Sequence, residues 1–201
     1  TLPSLDGSPY QTHLLTAIKY IVVALSYSVG ATGFPEAKDW LAKAWDTWIT
    51  VESTWGADGG FANATAYGWW AGISLAETAA TVRLITGTDL SRWPAVGQFG
   101  NNMIAFVAPA NNLPSPFGDS AETTTLYEAN SWNAYRLYAA ITRASANEWY
   151  WRVTPSNIDK AQALTTLHYL LLGLKLPSVA PAAPTTNSWV FEDAGLVAMH
   201  S

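Results

Sequence analysis

The stretch Pro35-Glu-Ala-Lys-Asp-Trp40-Leu-Ala-Lys-Ala-Trp45-Asp-Thr-Trp48-Ile-Thr-Val51 decides the fold class. Trp40, Leu41, Ala44, Trp45 and Trp48 recur at the three- and four-residue steps of an α-helix, so they share one apolar stripe. Pro35 stands where a first helical turn tolerates it. The same period runs outward in both directions. Upstream, Leu14, Leu15, Ile18, Ile21, Val22 and Leu25 predict a helix over Tyr10 to Val29, stopped by Gly30. Downstream, Tyr67 to Thr86 reads as a helix closed by Gly87. Trp93 to Val107 is another, interrupted by Gly97 and Gly100. Pro109 to Asp119 reads as a loop, after which Asp119 or Ser120 caps a helix reaching to Ala144. Trp149 to Val153 fits either class, and Ser156 opens a last helix to Leu172. Paired helices of this length predict a mainly α chain, an array of antiparallel α/α hairpins, over residues 1–175.

The pattern changes after that. Leu176 to Thr186 holds three prolines and no period, so 176–187 reads as a linker. Ser188-Trp-Val-Phe191 and Leu196-Val-Ala-Met199 flank a Glu-Asp-Ala-Gly turn and predict a short β-hairpin. A two-stranded hairpin is marginal alone. Residues 188–201 are therefore expected to begin an antiparallel β domain, completed by further sequence or by a second chain.

Composition narrows the function. Apolar residues make up 49% of the 201 and charged residues 12%, about half the usual ~25% charged. Such a chain can bury enough apolar surface to fold. Net charge is −5 with ten Lys and Arg scattered singly, which argues against nucleic-acid or anionic-membrane partners. The run Ile21 to Leu25 is far short of the ~20 apolar residues that span a bilayer. Cysteine is absent, which removes thiol nucleophiles, iron–sulfur sites and disulfide scaffolds. No phosphate loop, Rossmann fingerprint or Gly-x-Ser-x-Gly elbow is present, and no metal or cofactor is called for. The unusual figure is eleven Trp beside nine Tyr and six Phe. Aromatic richness at low charge fits a large helical core, and it also fits surfaces that stack sugar rings.

The segment with the most chemistry is Asp58-Gly-Gly-Phe61-Ala-Asn63-Ala-Thr-Ala-Tyr67-Gly-Trp69-Trp70. Its glycines permit a tight turn. If a helix opens near Asn63, then Asn63 and Tyr67 share a face. The segment resembles the heparinase II/III-like polysaccharide lyases, whose pattern is roughly Asp-Gly-Ser-aromatic-x-Glu-Gly-x-x-Tyr-His. Asp58, Gly59, Phe61 and Tyr67 match. Asn63 stands where Glu is usual, Ala64 where Gly is usual, and Gly68 where His is often found. Leu84-Ile-Thr-Gly87, Phe117-Gly-Asp-Ser120 and Trp189 to Ser201 resemble further short segments of that family, with His200 in place of an Arg.

The resemblance implies an (α/α) toroid followed by an antiparallel β-sandwich, located in the periplasm or outside the cell. It implies β-elimination on an acidic, uronate-containing polysaccharide, a carbon–oxygen lyase reaction. Elimination needs a neutraliser for the uronate carboxylate, a base for the α-proton and an acid for the leaving oxygen. Tyr67 matches the family's catalytic Tyr, while His13 or Gln11, and Asn63, are candidates for the neutraliser. A Tyr near its ordinary pKa of about 10 is a poor base without a nearby cation. Arg83 and Arg136 are the candidates for that cation. Trp55, Phe61, Trp69, Trp70, Asp119 and Arg83 are the expected substrate contacts. His168 reads as a core histidine. Two alternatives stay open: a glycan-binding helical module without catalysis, and an inverting glycoside hydrolase using Asp58 with Asp119 or Glu122. Asp119 also fits a simple helix cap.

Overall fold

The computed structural model describes residues 19, 21, 22, 24, 28, 34–52, 55–61, 64–107, 129–153 and 176–200. The chain is mainly helical and ends in a two-stranded antiparallel hairpin. The elements are α1 (Ala37–Glu52), α2 (Ala64–Thr86), a 3-10 turn (Leu90–Arg92), α3 (Pro94–Ala105), α4 (Ala129–Thr142), α5 (Ser145–Val153), β1 (Ser188–Phe191) and β2 (Leu196–Met199). Residues 19, 21, 22, 24 and 28 are helical as well. The expected helices at Tyr10 to Val29 and Ser156 to Leu172 fall largely or wholly outside the described residues. So does the loop from Pro109 to Asp119. Among the described residues no helix is long and apolar enough to cross a membrane.

Local chemistry explains the element ends. Gly87 adopts φ +76° after α2, and its N–H donates to Arg83 O at 3.0 Å, a left-handed helix ending that glycine adopts without strain. Asp89 caps the 3-10 turn, its Oδ1 accepting from Ser91 N–H at 3.1 Å and from Ser91 Oγ at 2.6 Å. The Ser91 hydroxyl bond, more than the Arg83 and Arg92 charges, holds the Asp89 carboxyl below its ordinary pKa. Pro94 opens α3 at a position whose N–H needs no partner. Helix α4 stops at Thr142, earlier than the periodicity predicts, because Arg143 takes φ +64°. The short segment that fits either class is helical, as α5.

Helix α2 is central. Every residue from 71 to 82 is buried, so its surroundings are protein on all sides. It packs chiefly on α4, and α4 packs on α5. One apolar cluster runs from Trp48 through Leu75, Phe99, Tyr135, Tyr138 and Tyr150 to Phe191 of the hairpin. Close packing has a specific requirement at Gly72, where a Cβ would overlap the Phe99 ring. Phe99 is fully buried and has little room to move. Gly72→Ala is therefore expected to cost about 2 kcal/mol, seen as a lower denaturant midpoint at unchanged m-value.

Tyr135 and Tyr150 are buried with ring centroids 5.8 Å apart, and Tyr135 OH donates to Met103 O at 3.3 Å. Burial raises both phenols, Tyr150 to about 12. The folded state thus holds these protons more tightly than the unfolded chain, where tyrosine titrates near 10. The stabilisation is complete below about pH 10 and is lost as pH rises toward 12. Tyr150 alone accounts for roughly 2–3 kcal/mol of it. Urea midpoints should fall steeply across that window. Tyr150→Phe should flatten the fall, and an equal slope in the variant would contradict the assignment.

The hairpin pairs Ser188 with Met199, Trp189 with Ala198, Val190 with Val197 and Phe191 with Leu196. Alternation turns Trp189, Phe191 and Ala198 inward, and leaves Val190, Val197 and Met199 at 61%, 54% and 77% exposure. Residues 177–184 precede it without helix or strand. Ala182 N–H is tied to Ser145 O at 3.2 Å.

Candidate functional site

The loop from Trp55 to Phe61 leads into α2, and its shape follows from Asp58 and the glycines. Asp58 Oδ1 accepts from Gly60 N–H at 2.8 Å, closing the turn on itself. Asp58 Oδ2 accepts from Asp193 N–H at 3.2 Å, and Asp193 Oδ2 accepts from Ala57 N–H at 2.9 Å. Each carboxylate therefore holds the other residue's strand of backbone, and the loop is clasped to the hairpin turn. On the opposite side Gly59 lies against α3, where a Cβ would sit 2.5 Å from the Gln98 carbonyl.

Two expected sugar platforms are packing elements here. Trp55 and Phe61 are 6% and 2% exposed. Their ring centroids are 4.2 Å apart, and Trp55 lies 5.1 Å from Phe99. These rings meet each other and the core, which leaves them no open face for a pyranose. Phe61 also touches α2, its Cδ1 3.5 Å from the position of a Cβ on Gly68.

Tyr67 lies in the first turn of α2, which opens at Ala64, three residues before the expected start. At about 100° per residue, positions 67, 74 and 81 fall within about 40° of each other on the helix. Beside the apolar Ala71 and Ile85, this side carries the buried polar side chains Ser74, Thr78 and Thr81, with Glu77 about 80° round, all four at most 5% exposed. Lys19 Nζ meets Glu77 Oε2 at 2.6 Å, both side chains below 10% exposure. Burying two charges costs several kcal/mol per ion unless the pair is tight and further hydrogen-bonded, so the polar face is an uncommon one for a central helix. The Thr78 and Thr81 hydroxyls have no hydrogen-bond partner among the described residues.

Other candidates are dispersed. Arg83 Nη1 donates to Ile141 O at 3.3 Å and lies 3.9 Å from Asp89 Oδ1. It ties the end of α2 to the end of α4, about four and a half turns along the helix from position 67. Arg136 covers the Trp151 ring at 4.9 Å. His200 places Nε2 2.8 Å from Ala105 O at the end of α3 and its ring 5.1 Å from Trp189. Trp69 and Trp70 belong to α2. Gln11, His13, Asn63, Asp119, Glu122 and His168 lie outside the described residues.

Asp193, Lys19 and Glu77 were not among the sequence candidates. Glu77 had a readable signal: it is the lone charge between Tyr67 and Val82, in the helix that proves central. Asp193 had none, because its partners are 135 and 136 residues away. Among the described residues no group of three or more His, Cys, Asp or Glu is placed to hold a metal ion. Compared with known proteins, the chain matches no family model and no curated protein.

Proposed function

We propose that the chain is the helical part of a lyase that cleaves uronate-containing polysaccharides by β-elimination, with Tyr67 in acid–base chemistry. The observation that carries this reading is the register of α2. Position 67 shares its side of the central helix with the buried polar side chains Ser74, Thr78 and Thr81, beside Ala71 and Ile85, and the buried Glu77 lies about 80° round. Function is a reason to retain buried polar groups that packing alone disfavours. The motif resemblance around Asp58 and Tyr67 supplies the reaction class.

In this reading a proton leaves the carbon next to the uronate carboxylate. Its electron pair forms the double bond, and the 4-linked oxygen departs with a proton. Tyr67 serves the proton transfers. His13 or Asn63 neutralises the carboxylate, and Trp69, Trp70, Asp119 and Arg83 bind the chain of sugars. Asp58, with both carboxylate oxygens accepting backbone N–H groups, positions the loop instead of acting as a hydrolase acid, and Trp55 and Phe61 pack it. The helix pairs form part of an (α/α) toroid. The apolar outer face of the hairpin is covered by further β structure or a second chain, and the protein works outside the cytoplasm. The test is incubation with a panel of polyuronates and neutral glycans. Ultraviolet absorbance of a conjugated unsaturated uronate should appear with a polyuronate only. Binding without that absorbance on every polymer would leave a glycan-binding module and remove the lyase.

A further inference from the structure

The Asp58–Asp193 clasp joins elements that are far apart in sequence, and a chain of contacts leads from it to α2. Asp193 is in the turn between β1 and β2. Its Oδ2 holds Ala57 N–H at 2.9 Å, while Asp58 Oδ2 holds Asp193 N–H at 3.2 Å. The loop so held ends in Phe61, whose ring is tilted against Trp55 with centroids 4.2 Å apart and faces Gly68 on the second turn of α2. Two residues separate Phe61 from Ala64, where α2 begins. The hairpin itself is anchored independently. His200 Nε2 lies 2.8 Å from Ala105 O, and Phe106 and Phe191 rings are 5.7 Å apart.

We propose that the C-terminal hairpin is a positioning element for the first turns of α2, with Asp193 as the positioning residue and the Phe61 ring as the link. The first four N–H groups of any helix lack intrahelical partners, and Ala64-Thr-Ala-Tyr67 carries no acidic residue in the first turn to favour the helix N-terminus. Instead the preceding loop is held rigid from outside. Removing the Asp193 carboxylate frees Ala57, loosens the loop and lets the Phe61 ring shift on Gly68. The turn containing position 67 then frays. This inference concerns the frame on which Tyr67 is mounted and stands apart from the chemistry assigned to that residue.

Amide hydrogen exchange on the full chain tests it without any need for activity. In Asp193→Ala, exchange at Gly68 to Ala71, the first amides of α2 with intrahelical partners, should rise about tenfold. Exchange at Ala134 to Ile141 in α4 should be unchanged. Asp193→Asn keeps an acceptor oxygen and should restore most of the protection. Three results would overturn the proposal: a rise confined to residues 188–199, an equal rise in α2 and α4, or failure of Asn to do better than Ala. The first makes the clasp local to the hairpin. The second makes it a general stability contact, and the third removes the hydrogen bond from the explanation. Because none of these readouts uses a substrate, their failure is separate from failure of the lyase reading.

Discussion

Gly59→Ala is expected to destabilise the chain by about 2–5 kcal/mol, the sum of two effects. Gly59 has φ +86°, and a side chain in the left-handed region costs about 1–2 kcal/mol. The new methyl would also stand 2.5 Å from the backbone of Gln98 and 2.9 Å from Phe99 N. That neighbour is helix backbone and cannot rotate aside as a side-chain tip would. Overpacking of this sort adds about 1–3 kcal/mol. In a chain of this size the loss corresponds to a fall in Tm of about 4–20 °C. A shift under ~2 °C would mean that the loop does not sit against α3 as described. Gly195→Ala is the useful comparison. Its φ is +65°, with nothing within 4 Å of a would-be Cβ, so the conformational cost alone applies and the loss should be about 1–2 kcal/mol.

Tyr67→Phe is expected to lower the rate of polyuronate cleavage by roughly 10²–10⁴-fold while leaving the thermal melt almost unchanged. The substitution keeps the ring and removes one hydroxyl. Were that hydroxyl only a structural hydrogen-bonding group, its loss would cost about 1 kcal/mol of stability and leave turnover intact. The two roles therefore move different measurements, kinetics in one case and the melt in the other. Equal turnover in the variant would take Tyr67 out of the chemistry. Asp58→Asn separates the loop from the reaction in the same assay. It keeps one acceptor, for Gly60 N–H, and gives up the bond to Asp193 N–H, so its effect on rate acts only through the loop and should be smaller than that of Tyr67→Phe.

The elements readable in the sequence are those with a local period. Trp40, Leu41, Ala44, Trp45 and Trp48 predict a helix over Glu36 to Val51, within one residue of α1 at each end, with Trp48 fully buried and Trp40 half exposed at the stripe's edge. The alternation in Ser188-Trp-Val-Phe191 places both strands where the structure has them. What the period misses has a physical reason in each case. The break at Arg143 involves a residue with no preference for positive φ, so nothing in the local sequence announces it. Helix α5 has nine residues, too few for a helical period to separate from a strand. Trp55 and Phe61 read as sugar platforms because they flank a glycine-rich loop. Their burial depends on Phe99, a partner about forty residues away on α3. Likewise the Lys19–Glu77 pair and the Asp58–Asp193 clasp are long-range contacts, which leave no periodic trace in sequence. Of the candidate site, the position of Tyr67 at the opening of a helix was legible, and the polar character of the face it shares was not.

The measurement that bears most directly on β-elimination is product mass spectrometry after reaction in heavy-oxygen water. Elimination breaks the bond between the 4-linked oxygen and its uronate carbon without consuming water. Each cleavage should then yield one unsaturated fragment, lighter by one water than its hydrolytic counterpart, and neither fragment should take label during cleavage. A saturated fragment carrying one labelled oxygen per cleavage would contradict elimination and establish hydrolysis in its place.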